Sequence, residues 1–112
     1  MNTNKYTFKC RVLGRGGHGA MPDKTVDPVV AAAQVICVLE GAAGALGAVL
    51  QWRRAEGGTR FNIIPESVLL EGVLVAEEKT APECVRQLEL AARQAAAALR
   101  AGCEMDFLLG GM

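Results

Sequence analysis

The residues with chemistry to offer are few. The one histidine, His18, stands inside Gly14-Arg15-Gly16-Gly17-His18-Gly19. Its glycine neighbours permit close approach of another surface and leave the imidazole unshielded. An imidazole presented this way can donate a hydrogen bond to an oxyanion; the plainer reading is a solvated loop histidine with no task. Asn62 is the polar residue of Phe61-Asn62-Ile63-Ile64. Its amide can hold a carboxylate or carbonyl, or it can satisfy the irregular backbone ahead of Pro65. Cys10, Cys37, Cys84 and Cys103 are scattered, with no CxxC pair among them. A hydrolytic zinc site takes two or three imidazoles or several closely spaced thiolates, so a catalytic metal site complete within this chain is not expected.

The glycine run also matches G-x-G-x-x-G. A dinucleotide-binding turn needs a helix opening directly at those glycines, its N–H groups aimed at a pyrophosphate. Pro22 intervenes here, and the next helix start is at Asp27-Pro28. That reading is set aside, as is an acid/base pair at Glu77 and Glu78, which sit in a solvated loop.

These residues belong to a chain of 112, the length of one domain with an ordinary core. Twelve basic residues balance twelve acidic ones, and Lys and Arg form no dense patch, which argues against a nucleic-acid partner. Residues 1–11 lack the apolar core of a signal segment. The most hydrophobic stretch, residues 29–50, is interrupted by Gln34, Glu40, Gly41, Gly44 and Gly47 and does not read as a membrane span. All four cysteines fall on apolar phases, as buried reduced thiols do. The expectation is a soluble, cytoplasmic protein with no nucleic-acid or membrane partner.

Residues 6–13 alternate Tyr6, Phe8, Cys10 and Val12 against Thr7, Lys9 and Arg11, a half-buried strand. Asp27-Pro28 opens a helix that Gly41 would stop. This helix is apolar on more than one face, through Val29, Val30, Ile36, Val38 and Leu39, so it is expected to bury a second face outside the domain. Residues 48–55 and 68–76 read as strands, with a short extended piece at 61–64. Thr80-Ala81-Pro82-Glu83 reads as a capping box. It opens an amphipathic helix to about Ala101, with a stripe of Val85, Leu88, Ala92, Ala95 and Leu99 and an i,i+4 pair Glu89–Arg93. Gly102 ends that helix, and residues 103–109 form a fourth strand. The order βαββαβ predicts a ferredoxin-like α+β sandwich, a four-stranded antiparallel sheet with both helices on one face. In that topology the first and last strands are antiparallel neighbours, which brings the two ends of the domain together, as expected of a domain inserted in a larger one.

Gly14-Arg15-Gly16-Gly17-His18-Gly19-Ala20-Met21-Pro22, then Thr25-Val26-Asp27-Pro28, then Gly57-Gly58-Thr59-Arg60-Phe61-Asn62-Ile63-Ile64-Pro65-Glu66-Ser67 and Leu70-Glu71-Gly72 follow one another in this order. Over nearly the whole chain they resemble the dimerisation (lid) domain of aminoacylase/hippurate-hydrolase-type amidohydrolases, in the wider carboxypeptidase G-like metallopeptidase family.

The resemblance implies hydrolysis of the amide bond of N-acyl amino acids or small peptides, with two zinc or similar divalent ions held in a separate catalytic domain absent from this chain. It implies no cofactor within residues 1–112 and no metal ligand among them. It implies a homodimer formed through the first helix and the second strand, with Val30, Gln34, Val38 and Trp52 at the interface. It places His18 in the partner subunit's active site as an oxyanion contact, with Asn62, Gly17 and Gly19 holding substrate. The isolated chain is then expected to be inactive. Val75 and Glu40 stand where relatives commonly carry arginines, and the stretch from Gly41 to Gly47 is simplified to Gly, Ala and Leu, read as a loop. The alternative is a free-standing ferredoxin-like interaction or small-molecule-binding regulatory module without catalysis.

Overall fold

The computed structural model describes residues 2–14, 26–57 and 66–110. Strand β1 spans Thr3–Leu13, helix α1 Pro28–Ala45, β2 Val49–Glu56, β3 Ser67–Glu77, helix α2 Ala81–Ala98 and β4 Gly102–Leu109. The four strands form one sheet in the order β2-β3-β1-β4, every neighbouring pair antiparallel. This is the α+β arrangement expected from the element order. β1 and β4 are indeed neighbours, and the Gly110 N–H donates to the Lys5 carbonyl at 2.8 Å where β4 runs out beside β1.

Period two decides which face is covered. Phe8, Cys10 and Val12 of β1, Leu70 and Leu74 of β3, and Cys103 and Met105 of β4 share one face and are buried. They meet Ala31, Ala32, Val35 and Leu39 of α1 and Cys84, Leu88, Ala92 and Ala96 of α2 in a single core. Burying a large apolar side chain is worth about 1.5–3 kcal/mol, and Phe8, Leu39, Leu70, Leu74 and Leu88 are all fully buried. The other face of the sheet has neither helix on it and carries charges, with Val73 buried among its side chains. Lys9 and Arg54 both pair with Glu71, at 3.8 and 3.3 Å.

Several local expectations are corrected. Gly41 does not stop α1, which continues to Ala45. Ala42, Ala43 and Ala45 favour helix, and Ala43 is buried against the core, so packing carries the helix past the glycine. The stop comes at Gly47, which takes φ +73°, a conformation glycine adopts without penalty. Thr80 sits at the start of α2, but its side chain makes no capping bond there. Its hydroxyl turns back to the Glu77 carbonyl at 3.4 Å, and Glu83 engages Arg86 and Gln87 instead of closing a box. At the other end of α2 the left-handed residue is Arg100, at φ 62°, and Gly102 already belongs to β4. The buried stripe of α2 runs through Cys84 and Ala96, and Leu99 is exposed. The Glu89–Arg93 pair is present at 2.9 Å. Three of the four cysteines are buried, but Cys37 is exposed on α1.

Candidate functional site

α1 and β2 are joined by a tight turn and lie side by side at one edge of the domain. β2 is the edge strand: β3 pairs with one side of it, and no described residue pairs with the other. α1 starts at Asp27, whose carboxylate accepts the Val29 N–H at 2.9 Å, with Pro28 at the first helical position. One face of the helix is buried in the core. The outer face is apolar yet exposed: Val29 is 49% and Val30 56% accessible. Gln34 and Cys37 are exposed on this side, and Val38 is half-buried. By length and composition α1 could cross a membrane, but Ala31, Ala32, Val35, Leu39 and Ala43 are packed into the core. Its mean apolarity therefore reflects two apolar faces, only one of which is covered within the domain.

Trp52 of β2 lies where these elements meet. Its indole N–H donates to Glu40 Oε1 of α1 at 2.8 Å. Its ring stands edge-on to Phe8, centroids 5.3 Å apart and planes at 90°, a favourable aromatic geometry. The pairing of β2 with β3 then slips by one residue between Trp52 and Arg54. Such a bulge bends and twists an edge strand. Val49, at the start of β2, is 55% exposed, on the face of the sheet away from the helices. At the other end of β2, a cleft of about 290 Å³ opens between α1 and the sheet, lined mostly by Val29, Ala32, Ile36, Ala55 and Val68.

Of the residues singled out from sequence, Val30, Gln34, Val38 and Trp52 lie on these two adjoining elements. Gly17, His18, Gly19 and Asn62 lie outside the described residues. The segments from which they depart are described, and they meet. Leu13 pairs with Ser67 at the end of the β1–β3 ladder, and the next residue, Gly14, donates its N–H to the Glu66 carbonyl at 2.9 Å. A Cβ on Gly14 would fall 2.3 Å from the Val26 carbonyl and 2.6 Å from Pro28 Cδ. Only a residue without a side chain fits where the chain leaves β1 and returns to α1. The stems of segments 15–25 and 58–65 are thus held together at one end of the sheet.

Among the described residues no group of three His, Cys, Asp or Glu side chains could hold a metal ion, so these residues do not fit a metal centre. Sequence reasoning did not find two contacts. One is Trp52–Glu40, between residues 12 apart across the α1–β2 turn. The other is Cys10–Cys103, whose sulfurs lie 3.3 Å apart from opposite ends of the chain. Neither has a local pattern; both follow from the strand order.

Comparisons with known proteins agree with this architecture. The model of the peptidase dimerisation domain matches residues 2–99. The chain is 33% identical over 107 residues to IAA-amino acid hydrolase ILR1-like 4 of Arabidopsis thaliana, covering 90% of this chain and 24% of that protein. It is 31% identical over 83 residues to N-acetylcysteine deacetylase of Bacillus subtilis, covering 70% of this chain and 22% of that one. Among solved structures, it superposes with TM-score 0.84 on a putative aminohydrolase from methicillin-resistant Staphylococcus aureus, at 22% identity over 95% of this chain and 30% of the other. With a dinuclear metal-binding peptidase of the M20 family from Bacillus subtilis the TM-score is 0.74 at 25% identity, over 95% and 26% of the two chains. The chain spans about a quarter of the length of such proteins. A family model matched over residues 2–99, from β1 through α2, makes this chain a member of the peptidase dimerisation domain family of the M20 amidohydrolases and peptidases.

Proposed function

We propose that this ferredoxin-like domain forms a homodimer through the outer face of α1 and the free edge of β2, as part of a cytoplasmic amidohydrolase that cleaves N-acyl amino acids or small peptides. One observation carries the reading: an apolar helix face left uncovered beside an edge strand that no described residue pairs on its outer side, with Val29 and Val30 each about half exposed. Such a surface is costly in water and is buried by self-association. Two β2 edges can pair in antiparallel sense, each completing the other's ladder, while the α1 faces close above them.

In this reading the catalytic centre, with its two zinc or similar ions, belongs to a domain outside this chain. This domain contributes His18, which donates a hydrogen bond to the substrate carbonyl oxygen in the partner subunit as negative charge develops there. A donor of this kind acts mainly on the transition state. Asn62, with Gly17 and Gly19 beside the histidine, holds the substrate. The shared anchorage at Gly14 and Glu66 supports this reading, since the described residues that precede segment 15–25 and follow segment 58–65 are hydrogen-bonded to each other. Neither nucleic acid nor membrane is a partner.

Sedimentation of the chain at micromolar concentration tests the dimer. A dimer that dissociates on dilution is expected; a strict monomer overturns the interface. With zinc and hippurate the isolated chain should show no turnover, and metal-dependent hydrolysis above background would overturn the division between domains.

A further inference from the structure

Cys10 and Cys103 stand apart from the surface just described. Cys10 is opposite Met105 and Cys103 opposite Val12, so the two are diagonal neighbours on adjacent antiparallel strands, on the face that packs against the helices. Their sulfurs are 3.3 Å apart. Cys10 is fully buried, and Cys103, on the outer strand of the sheet, is 9% accessible. Cys84 is buried as well, in the same core.

We propose that Cys10 and Cys103 are a redox-reactive dithiol that a hydroperoxide converts to a disulfide between the first and last strands. The two sulfurs are not equivalent. Cys103 is held below the ordinary thiol range, chiefly by the S–H bond it accepts from Cys10 and further by the charge of Arg93 on α2, against the opposing effects of burial and of the nearby Glu89 and Glu104 carboxylates. Cys10 is pushed up, because it holds the proton of that bond and is buried. Cys103 is therefore the thiol that loses its proton more readily and, as the less buried residue of the two, meets the oxidant first.

The thiolate of Cys103 attacks one oxygen of hydrogen peroxide. The O–O bond breaks, hydroxide leaves and takes up a proton as water, and Cys103 becomes a sulfenic acid. Cys10 sulfur, its proton released, then attacks Cys103 sulfur. The S–O bond breaks and the oxygen leaves as a second water. Two thiols and one peroxide give one disulfide and two waters. From 3.3 Å the sulfurs close to the bonded distance of about 2.05 Å, and the bond draws the diagonal positions on β1 and β4 closer than the about 7–8 Å ordinary for such neighbours. The bond then encloses most of the domain in one covalent loop, which restricts the unfolded chain.

The test is thiol mapping of the wild-type chain. The protein, free of reductant at neutral pH, is treated with hydrogen peroxide, quenched with an alkylating agent, digested and analysed by mass spectrometry. The expected product is a Cys10 peptide joined to a Cys103 peptide, lighter than the two together by two hydrogens. Dithiothreitol should return both as alkylatable thiols, and the oxidised form should unfold at higher urea than the reduced one. In Cys10→Ser, Cys103 should be trapped by dimedone as a sulfenic acid. In Cys103→Ser, Cys10 should remain a thiol. The proposal is overturned if Cys10 and Cys103 stay unlinked while exposed Cys37 is oxidised. It is equally overturned if the disulfides recovered involve Cys37 or Cys84. The wild-type map decides the matter even if a variant fails to fold, and it is independent of whether the chain dimerises.

Discussion

The indole of Trp52 and the carboxylate of Glu40 are joined by a 2.8 Å hydrogen bond that ties the edge strand to the last turns of α1. Both side chains are partly in solvent, yet they connect the two elements that carry the uncovered apolar surface. Trp52→Ala removes this bond and the edge-on packing against Phe8. A fully buried Trp→Ala change costs about 3–5 kcal/mol; for this half-buried ring about 2 kcal/mol is expected. Glu40→Gln keeps an acceptor and should cost under about 0.5 kcal/mol. Urea denaturation of both variants tests the comparison, and equal losses would mean that the bond to Glu40, not the packing of the ring, carries the stability.

Val30→Glu separates folding from association. The side chain is 56% exposed, so the folded subunit should change by less than about 0.5 kcal/mol. Placed in a self-complementary interface, the charge appears twice, and the dimer should weaken by at least about tenfold. Sedimentation beside thermal denaturation reads the two effects. A variant that dimerises like wild type shows that this face of α1 is not the interface.

Two backbone substitutions should act in opposite directions. A Cβ on Gly72 would fall 2.5 Å from the Gln51 carbonyl and 2.8 Å from Phe8 Cζ, so Gly72→Ala should cost about 1–3 kcal/mol. Arg100 holds φ 62° in the turn from α2 to β4. A side chain there costs about 1–2 kcal/mol, so Arg100→Gly should stabilise by about 1 kcal/mol. Denaturation midpoints moving the same way in both variants would contradict this account of the two positions.

The pair Glu83–Arg86 gives a pH signature. Hydrogen bonds from Arg86, then from Gln87, hold the Glu83 carboxyl below its ordinary range. A carboxyl whose pKa is lowered by folding stabilises the native state above its unfolded value, and the benefit is lost as pH falls through the folded value. Glu83→Gln should therefore lower the melting temperature slightly at pH 7, with the difference closing as pH drops below the carboxylate range. Both groups are fully solvated, so salt should shrink the difference as well. A gap that persists at pH 2 would assign the effect to helix propensity instead.

On the function proposed above, His18→Ala in the parent amidohydrolase should lower kcat by about 10²–10³ while KM changes little, because the proposed oxyanion donor would act on the transition state. Steady-state kinetics on an N-acyl amino acid decides this. An unchanged kcat removes His18 from the mechanism.

Strand order and sense were legible because Phe8, Cys10 and Val12 alternate with lysine and arginine, and because two strand–helix units followed one another. The second apolar face of α1 was legible too, since Val29 and Val30 fall off the stripe that Val35 and Leu39 define. What escaped depends on distant neighbours. Ala43 is buried by the fold and draws the helix past Gly41, which local rules treat as a stop. Glu83 had two cationic or amide partners one turn away, and these outcompeted the backbone of the capping box. Cys37 followed the apolar phase of α1, but that helix has two apolar faces and Cys37 lies on the outer one. For the candidate site, the interface residues could be located on α1 and β2, whereas Gly17, His18, Gly19 and Asn62 rest on motif resemblance alone, outside the described residues.

The turn at Leu46, Gly47 and Ala48 joins α1 to β2 with almost no slack, and Trp52 and Glu40 fasten the pair a second time. The surface proposed to meet a second copy is therefore shaped before any encounter. Little conformational entropy remains to be lost when two subunits meet. Association should resemble the docking of two rigid plates, with a rate governed by orientation and not by a preceding rearrangement.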